Sequence, residues 1–176
     1  MNKSLIFREN EKSNDIEKLD EFALSQKDQD FSNKTSKVMI LIVVLTFARL
    51  DELATLSIND ILFIPQPVIK ITLGKNTYRS KHRIISMPDD IANILLYYIK
   101  YDRCRVIEKT CGLDNDSGAL FVHRNTGLGL RAEYMSLMII NYLKQARVPT
   151  NITAKDIRRY FLNKFVTPHN YNKLHQ

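Results

Sequence analysis

A mainly helical α+β domain with a small antiparallel sheet is predicted by two features of the 176-residue sequence. The first is a series of long segments in which apolar residues recur at the 3.6-residue spacing of a helix. The second is a group of three short runs, rich in β-branched and apolar residues and bounded by turn residues, between residues 61 and 87. One globular domain accounts for a chain of this length.

Helices account for most of the predicted structure. The polar leader carries apolar residues at helical spacing, which predicts a short helix at about residues 14–25. A nearly apolar run then predicts a buried helix, and Thr153 is placed to cap the last helix of the chain. Beyond the leader, the predicted helices are 36–48, 50–57, 88–107, 131–146 and 152–165.

The predicted sheet has three strands, at residues 61–64, 68–73 and 82–87, and a short extended segment follows at 119–122. The link between the last two strands, residues 74–81, contains no acidic residue and three basic ones, which are Lys75, Arg79 and Lys81. A basic hairpin of this kind fits the groove of duplex DNA.

The net charge of +7 is divided unevenly along the chain. Residues 1–30 hold eight acidic and five basic residues, a net charge of −3, and residues 31–176 hold eleven acidic and twenty-one basic residues, a net charge of +10. A body this basic indicates a polyanionic partner, most simply double-stranded DNA. The competing interpretation is a basic protein whose lysines and arginines are only solvated.

Several classes of protein are disfavoured by the composition. The longest apolar run, of about 11 residues, is too short to span a bilayer, and the N-terminus lacks a signal peptide, so we expect a soluble intracellular protein without a membrane partner. Cys104 and Cys111 have no second pair and no clustered histidine, so we expect reduced thiols and no metal site.

Arg49 ends the apolar run of residues 38–48, so its side chain leaves a buried helix. We expect this side chain to have little access to solvent and to bind an anion, because a guanidinium is seldom buried without a partner. An ion pair with Asp51 or Glu52 is the competing interpretation. From Arg49 onward the residues follow the order Arg-x-x-Glu-Leu-x-x-Leu-x-x-x-Asp-Ile.

A second basic motif opens the last predicted helix, where Lys155 and Arg158 have the spacing Lys-x-x-Arg. These two motifs, with Lys75 between them on the predicted hairpin, resemble in order and spacing the catalytic boxes of the tyrosine recombinases, the phage-integrase family. The resemblance covers residues 36–165. Lys155 stands where that family usually has histidine, as in the related type IB topoisomerases, and Arg159 stands where a second histidine is common.

The resemblance implies a role for each cation. Arg49 and Arg158 would bind the non-bridging oxygens of a scissile phosphate, and Lys155 would add a hydrogen bond. Lys75, or Lys81 if the hairpin has another register, would protonate the leaving oxygen. The basic residues assigned to DNA binding are Arg79, Lys81, Arg83 and Arg159. No metal or cofactor is expected, because the cations replace it; the competing interpretation of Arg158 is a solvated helix face.

The nucleophile of the family is missing from its expected place. It is a tyrosine that lies farther beyond the second-box arginine than the 18 residues following Arg158 here. Tyr171 is the remaining candidate within the chain, and Tyr160 is better explained by packing or a phosphate contact. We therefore expect an acidic leader at residues 1–35 and a C-terminally incomplete catalytic domain at residues 36–176, without the DNA-clamping domain that precedes it in many relatives.

Site-specific recombination or DNA integration is the function that the resemblance implies, by transesterification at DNA phosphodiesters and with a homo-oligomer on the DNA. The missing tyrosine is explained by a fragment of a longer enzyme, by an inactive relic, or by a tyrosine supplied in trans. An enzyme like the type IB topoisomerases and a non-catalytic DNA-binding relic are the alternative functions. A protein-interaction module with no role in nucleic-acid binding is the third class.

Overall fold

The computed structural model describes residues 30–72, 82–145 and 152–165. The elements in chain order are α1 (Phe31–Thr46), α2 (Leu50–Ala54), β1 (Ile61–Leu62), β2 (Val68–Thr72), β3 (His82–Ser86), α3 (Asp89–Tyr97), a π-helical segment (Tyr98–Arg103), α4 (Cys104–Thr110), α5 (Ala132–Gln145) and α6 (Ala154–Phe165). The predicted α+β fold, mainly helical with a small antiparallel sheet, is confirmed. Within the described residues, no helix has the length and apolar character needed to cross a bilayer.

Helix α1 lies at the centre of the core. It packs against α3, α5, α6 and the π-helical segment, and its apolar run is buried as the sequence predicts. The side chains of Met39 and Ile42 are 0% and 1% exposed. A helix with so little exposed surface is held by packing on several sides, so its C-terminal end has a fixed position in the fold.

The start of α1 differs from the prediction. The helix begins at Phe31 because the Asp30 carboxylate caps it, accepting the Ser32 main-chain N–H at 3.1 Å. Ser36, the predicted first residue, lies inside the helix and donates its hydroxyl to the Ser32 carbonyl at 2.8 Å. The helix predicted at 14–25 lies outside the described residues, and the division of the chain at residue 36 stays a prediction.

The second helix is shorter than predicted. Helix α2 ends at Ala54, because the Thr55 hydroxyl donates to the Glu52 carbonyl at 2.9 Å and a 3₁₀ turn follows at Ile58–Asp60. In that turn, the Ser57 main-chain N–H donates to the Asp60 carboxylate at 2.9 Å. The chain thereby reverses within a few residues and enters the sheet.

The sheet has the order β1-β2-β3 with both pairs antiparallel. Ile69 of the central strand pairs with Ile61 on one side and Ile85 on the other. Ile69 and Ile71 are fully buried, whereas Lys70 between them is exposed, as expected for a sheet with one face on the core. Strand β1 ends at Leu62, two residues before the predicted end, ahead of a segment with two prolines that cannot donate to a ladder.

The helix predicted at 88–107 is interrupted by the π-helical segment and extends to Thr110. Arg103, at the end of that segment, is 3% exposed. Its Nη1 and Nη2 donate to the Asp116 carboxylate at 2.8 and 2.5 Å, and its Nε donates to the Ala119 carbonyl at 2.7 Å. This ion pair ties the helical layer to residues 119–122, which form only isolated bridges, at Ala119 with Ser57 and at Val122 with Gly129, in place of the predicted extended segment.

Gly127 occupies a position where a side chain has no room. Its φ is +69°, and a Cβ placed there would collide with Thr110 Oγ1 and lie 2.8 Å from Cys111 Sγ. We expect Gly127→Ala to lower the free energy of unfolding by at least about 2 kcal/mol, through backbone strain and overpacking together. Urea denaturation measures the effect. Gly112→Ala is the control, because Gly112 has φ +78° but a Cβ added to it would meet no heavy atom within 4 Å, so an equal loss in both variants would exclude the steric contribution.

Candidate active site

The turn between α1 and α2 presents the first basic residue of the candidate site. Helix α1 is terminated by Phe47, which has the left-handed conformation (φ 52°, ψ 31°) and donates its N–H to the Val43 carbonyl at 2.8 Å. The Thr46 hydroxyl accepts the Ala48 N–H at 3.2 Å. A left-handed conformation in a residue with a large side chain is uncommon and is found at sites where the surrounding structure imposes it.

Arg49, which follows this turn as the N-cap residue of α2, is exposed. The expectation that its side chain has little access to solvent is therefore wrong. The physical reason is the left-handed residue Phe47, which redirects the chain away from the axis of the buried helix before Arg49 is reached. The guanidinium is thus available to a ligand that approaches from solvent.

Glu52 fixes the backbone from which Arg49 projects. One oxygen of this carboxylate, Oε2, accepts the Arg49 main-chain N–H at 2.9 Å and binds Nη2 of Arg83 at 3.1 Å. The side chain of Glu52 is 9% exposed. In the part of the chain that the structure describes, the ion pair of Glu52 is with Arg83 on β3 and not with the side chain of Arg49. The competing interpretation that pairs Arg49 with Glu52 therefore receives no support.

Helix α6 supplies the second group of basic residues, and its start is capped as predicted. The Thr153 hydroxyl accepts the Asp156 main-chain N–H at 3.3 Å, and the Asp156 carboxylate accepts the Thr153 N–H at 3.0 Å. Ile157 and Phe161 are buried against the core, which fixes the rotation of the helix about its axis.

With that rotation, Lys155 and Arg159 are exposed and Arg158 is half-buried. Arg158 Nε donates to the Phe47 carbonyl at 2.7 Å, across 111 positions of sequence. The two terminal nitrogens of Arg158 make no hydrogen bond to residues 30–72, 82–145 or 152–165. The bond from Nε gives the left-handed residue Phe47 a role in the site, because the carbonyl of Phe47 orients Arg158.

The basic residues of the two sequence motifs thereby come together in one cleft of about 380 Å³. The residues lining the cleft are Ala48, Arg49, Leu50, Ala154, Lys155 and Arg158. Three cations and a helix N-terminus around one cleft are the kind of charges and N–H donors that attract an anion. Three residues predicted to act together are thus adjacent, and their catalytic roles stay predictions.

Arg83 is a third arginine near this cleft, although it is not one of the residues that line it. Burial lowers its pKa, Glu52 raises it, and the charges of Arg158 and Arg49 lower it further. Its side chain is 34% exposed, and its Nε is buried without a hydrogen-bond partner among the described residues. The positive charges of Arg49 and Arg158 therefore oppose that of Arg83, and Glu52 is the carboxylate that binds Arg83.

Several predicted residues cannot be located relative to the cleft. Strand β2 ends at Thr72 and β3 begins at His82, and these two residues are partners in the sheet. The basic residues of the intervening link lie outside the described residues, as does the candidate nucleophile; they are Lys75, Arg79, Lys81 and Tyr171.

Two members of the site have roles that the sequence does not predict. Phe47 contributes a carbonyl, and no side-chain pattern indicates which backbone oxygen an arginine will choose. Glu52 is predicted only as a partner of Arg49, although the spacing of Arg49 and Glu52 also fits an N-cap residue and the N3 acid that bonds back to it. That spacing is the signal from which the backbone role could have been predicted.

Replacing Thr153 with alanine is expected to lower the free energy of unfolding by about 1 kcal/mol, because the first turn of α6 loses an N-cap acceptor. Thermal or urea denaturation measures the loss. Thr153→Ser is the matched control and should retain most of the stability, because serine keeps the hydroxyl. An equal loss in the alanine and serine variants would show that the methyl group, and not the cap, is responsible.

No protein-family model matches the sequence, and no curated protein matches it either. Solved structures do match. The XerH site-specific recombinase bound to palindromic difH substrate, in a post-cleavage complex, superimposes with a TM-score of 0.65 and 18% identity over 93% of this chain and 42% of that one. The XerA recombinase gives 0.63 and 21% over 92% of this chain and 53% of that one. The chain has the tyrosine-recombinase fold.

The resemblance drawn from the sequence is thus confirmed at the level of the recombinase fold. The Tn1549 transposon integrase, in complex with transposon right end DNA, is a third similar structure, with a TM-score of 0.56 and 21% identity over 89% of this chain and 55% of that one. The chain spans about half the length of these recombinases, between 42% and 55%. Its basic cleft is formed by the residues in which the sequence resembles the recombinase boxes.

Proposed function

We propose that the chain binds duplex DNA and activates a DNA phosphodiester for transesterification, in site-specific recombination or integration. The observation that carries this proposal is the cleft in which Arg49, Lys155 and Arg158 meet. Cleavage by transesterification adds negative charge to a pentacoordinate phosphorus, and planar guanidinium groups stabilise that charge by paired hydrogen bonds to the non-bridging oxygens. The hydrogen bond from Arg158 Nε to the backbone orients one such group before a phosphate arrives.

In the proposed reaction, a tyrosine hydroxyl gives up its proton to solvent as its oxygen attacks phosphorus, and the bond from phosphorus to the 5′ oxygen breaks. A 3′-phosphotyrosine forms, and Lys75 supplies the proton that the departing 5′ oxygen takes up. Lys155 donates a hydrogen bond to the phosphate. The tyrosine is Tyr171 or one supplied in trans by another subunit on the same DNA. The proposal also includes a homo-oligomer assembled on DNA.

Charge and similarity support DNA as the substrate. Residues 31–176 carry the net charge of +10, and the basic residues proposed to contact DNA outside the cleft include Arg79, Lys81 and Arg159. The XerH structure is a complex with palindromic difH substrate, and the Tn1549 structure is a complex with transposon right end DNA. We infer an intracellular protein, because the DNA on which it acts is there. Lys155 favours one alternative, an enzyme like the type IB topoisomerases, and a DNA-binding relic without cleavage is the other.

Covalent trapping on a nicked duplex tests the proposal. Release of the short strand beside the nick prevents religation, so an active chain is expected to form an adduct that withstands denaturing electrophoresis. The chain is tested alone and with a peptide that supplies a tyrosine segment, and Tyr171→Phe identifies the nucleophile. An adduct from the chain alone that Tyr171→Phe abolishes assigns Tyr171, and an adduct only with the peptide assigns a tyrosine in trans. No adduct in either case, with DNA binding intact, would leave the DNA-binding relic.

A further inference from the structure

We infer that Arg83 is a positioning residue that keeps the buried carboxylate of Glu52 away from Arg49 and Arg158, so that both guanidinium groups remain available to a phosphate. The inference rests on the proposed function and gives Arg83 a role other than a direct DNA contact. Its starting point is the geometry at the cleft, where the Glu52 carboxylate binds Arg83 and the Arg49 main chain, and Arg158 binds the carbonyl of Phe47 two residues before Arg49.

Glu52 is placed where it could neutralise Arg49. Its Oε2 already accepts the Arg49 main-chain N–H at 2.9 Å, and the two residues are three positions apart at the start of α2. Side chains at that spacing reach each other readily. A carboxylate that is 9% exposed and has no cation partner is also costly, so Glu52 without Arg83 would be expected to pair with the nearest available guanidinium.

Arg83 competes with Arg49 for the Glu52 carboxylate, because it binds Oε2, the oxygen that also accepts the Arg49 main-chain N–H. The distance from Arg83 Nη2 to Glu52 Oε2 is 3.1 Å. Arg83 is held by strand β3, where it is the partner of Ile71 on the central strand, and Ile71 is fully buried. The backbone of Arg83 is therefore held in place by the sheet, whereas Arg49 lies at a turn and is exposed to solvent. Arg83 thus binds the carboxylate, and Arg49 and Arg158 remain available to a phosphate.

The arrangement also links the cleft to one end of the sheet. Arg83 is the second residue of β3, immediately after the partner pair Thr72 and His82. A displacement of this end of the sheet would change the contact of Arg83 with Glu52, and through Glu52 the backbone position of Arg49.

A double-mutant cycle of Arg83→Ala and Glu52→Gln tests the inference by fluorescence anisotropy with a labelled duplex DNA. Arg83→Ala is expected to weaken DNA binding at least about tenfold, the equivalent of about 1.4 kcal/mol, because the freed carboxylate neutralises a phosphate-binding arginine. Adding Glu52→Gln should restore most of the affinity, because glutamine keeps an acceptor for the Arg49 N–H and has no charge. Arg83→Lys should retain more affinity than Arg83→Ala, because lysine keeps a cation for Glu52.

The salt dependence of binding provides a readout that loss of folding alone would not reproduce. The slope of log affinity against log salt should decrease by about one in Arg83→Ala and return in the double variant. Thermal denaturation of each variant establishes that it is folded; if Arg83→Ala is not, Arg83→Met, which keeps the length of the side chain, replaces it. Arg124 and Asp30, an exposed ion pair at 3.0 Å, are the control pair, and Asp30→Asn should not restore any DNA affinity that Arg124→Ala loses.

Restoration of affinity and of the salt slope by Glu52→Gln supports the inference. Additive losses at Arg83 and Glu52 would overturn it, and would show that Arg83 contacts DNA directly or serves only stability. If the wild-type chain shows no salt-dependent affinity for duplex DNA, the proposed function itself fails, and the inference fails with it.

Discussion

Replacing Arg158 with alanine is expected to slow the formation of the covalent adduct on a nicked duplex by about 10²–10³-fold, the effect of removing one preorganised donor that stabilises transition-state charge. The affinity for DNA should fall much less, because the charge that Arg158 stabilises develops on the phosphorus during the reaction. The structural basis is the hydrogen bond of 2.7 Å from its Nε to the Phe47 carbonyl, which aims the guanidinium before DNA binds. Single-turnover trapping at saturating DNA measures the rate.

Two variants serve as controls for this prediction. Arg159→Ala removes the same charge from the next position, which is exposed, and should change affinity and salt dependence without a comparable loss of rate. Arg158→Lys keeps the charge and removes the planar fork, so it should remain much slower than the wild type. Equal losses of rate in Arg158→Ala and Arg159→Ala would contradict a specific role for Arg158 and favour a general basic helix face.

The largest expected loss of stability follows Arg103→Ala. Arg103 is 3% exposed and makes three hydrogen bonds, two to the Asp116 carboxylate and one to the Ala119 carbonyl. Removing one partner of a buried ion pair typically costs about 3–5 kcal/mol, because the other partner keeps its desolvation without its compensation. Urea denaturation gives the difference. Arg124→Ala, at an ion pair whose side chains are 62% and 45% exposed, should cost only about 0–1 kcal/mol.

The pH dependence of the same variant provides a second measurement. The hydrogen bond from Arg103 lowers the pKa of Asp116, so the ionised carboxylate contributes stability above its unfolded pKa of about 3.9. That contribution is lost as the pH falls through the lower pKa of the folded state. The deficit of Arg103→Ala should therefore shrink at acid pH, below about 4. A deficit that stays constant down to acid unfolding would show that packing, and not the ion pair, determines the loss.

The sequence was sufficient to predict the elements of the fold, because local patterns determine them. The buried helix follows from an apolar run, and strands β2 and β3 from alternating or β-branched runs between turn residues. The ends of elements were less accurate. Helix α1 begins at an Asp30 cap that the sequence contained but that lay before the apolar run, and the π-helical segment has no local pattern that distinguishes it from an α-helix.

In the candidate site, too, some features were predicted from the sequence and others were not. The proximity of Arg49, Lys155 and Arg158 was predicted, because each lies in a motif whose order and spacing resemble those of a known family. The exposure of Arg49 was not, because it depends on one left-handed residue. The pairing of Glu52 with Arg83 was not predicted either, because the two residues are 31 positions apart on different elements. Local sequence patterns do not indicate which cation a buried carboxylate will contact.

The hydrogen bond from Arg158 to the Phe47 carbonyl has a consequence for assembly. Arg158 and Phe47 are 111 positions apart, on the last described helix and at the end of the first. Arg49 and Arg158 therefore come together only when α6 packs on the end of α1. A chain in which only α6 has detached keeps most of its core but has lost its phosphate-binding cleft. The basic cleft is therefore complete only while α6 is docked, because Lys155 and Arg158 on that helix line it together with Arg49.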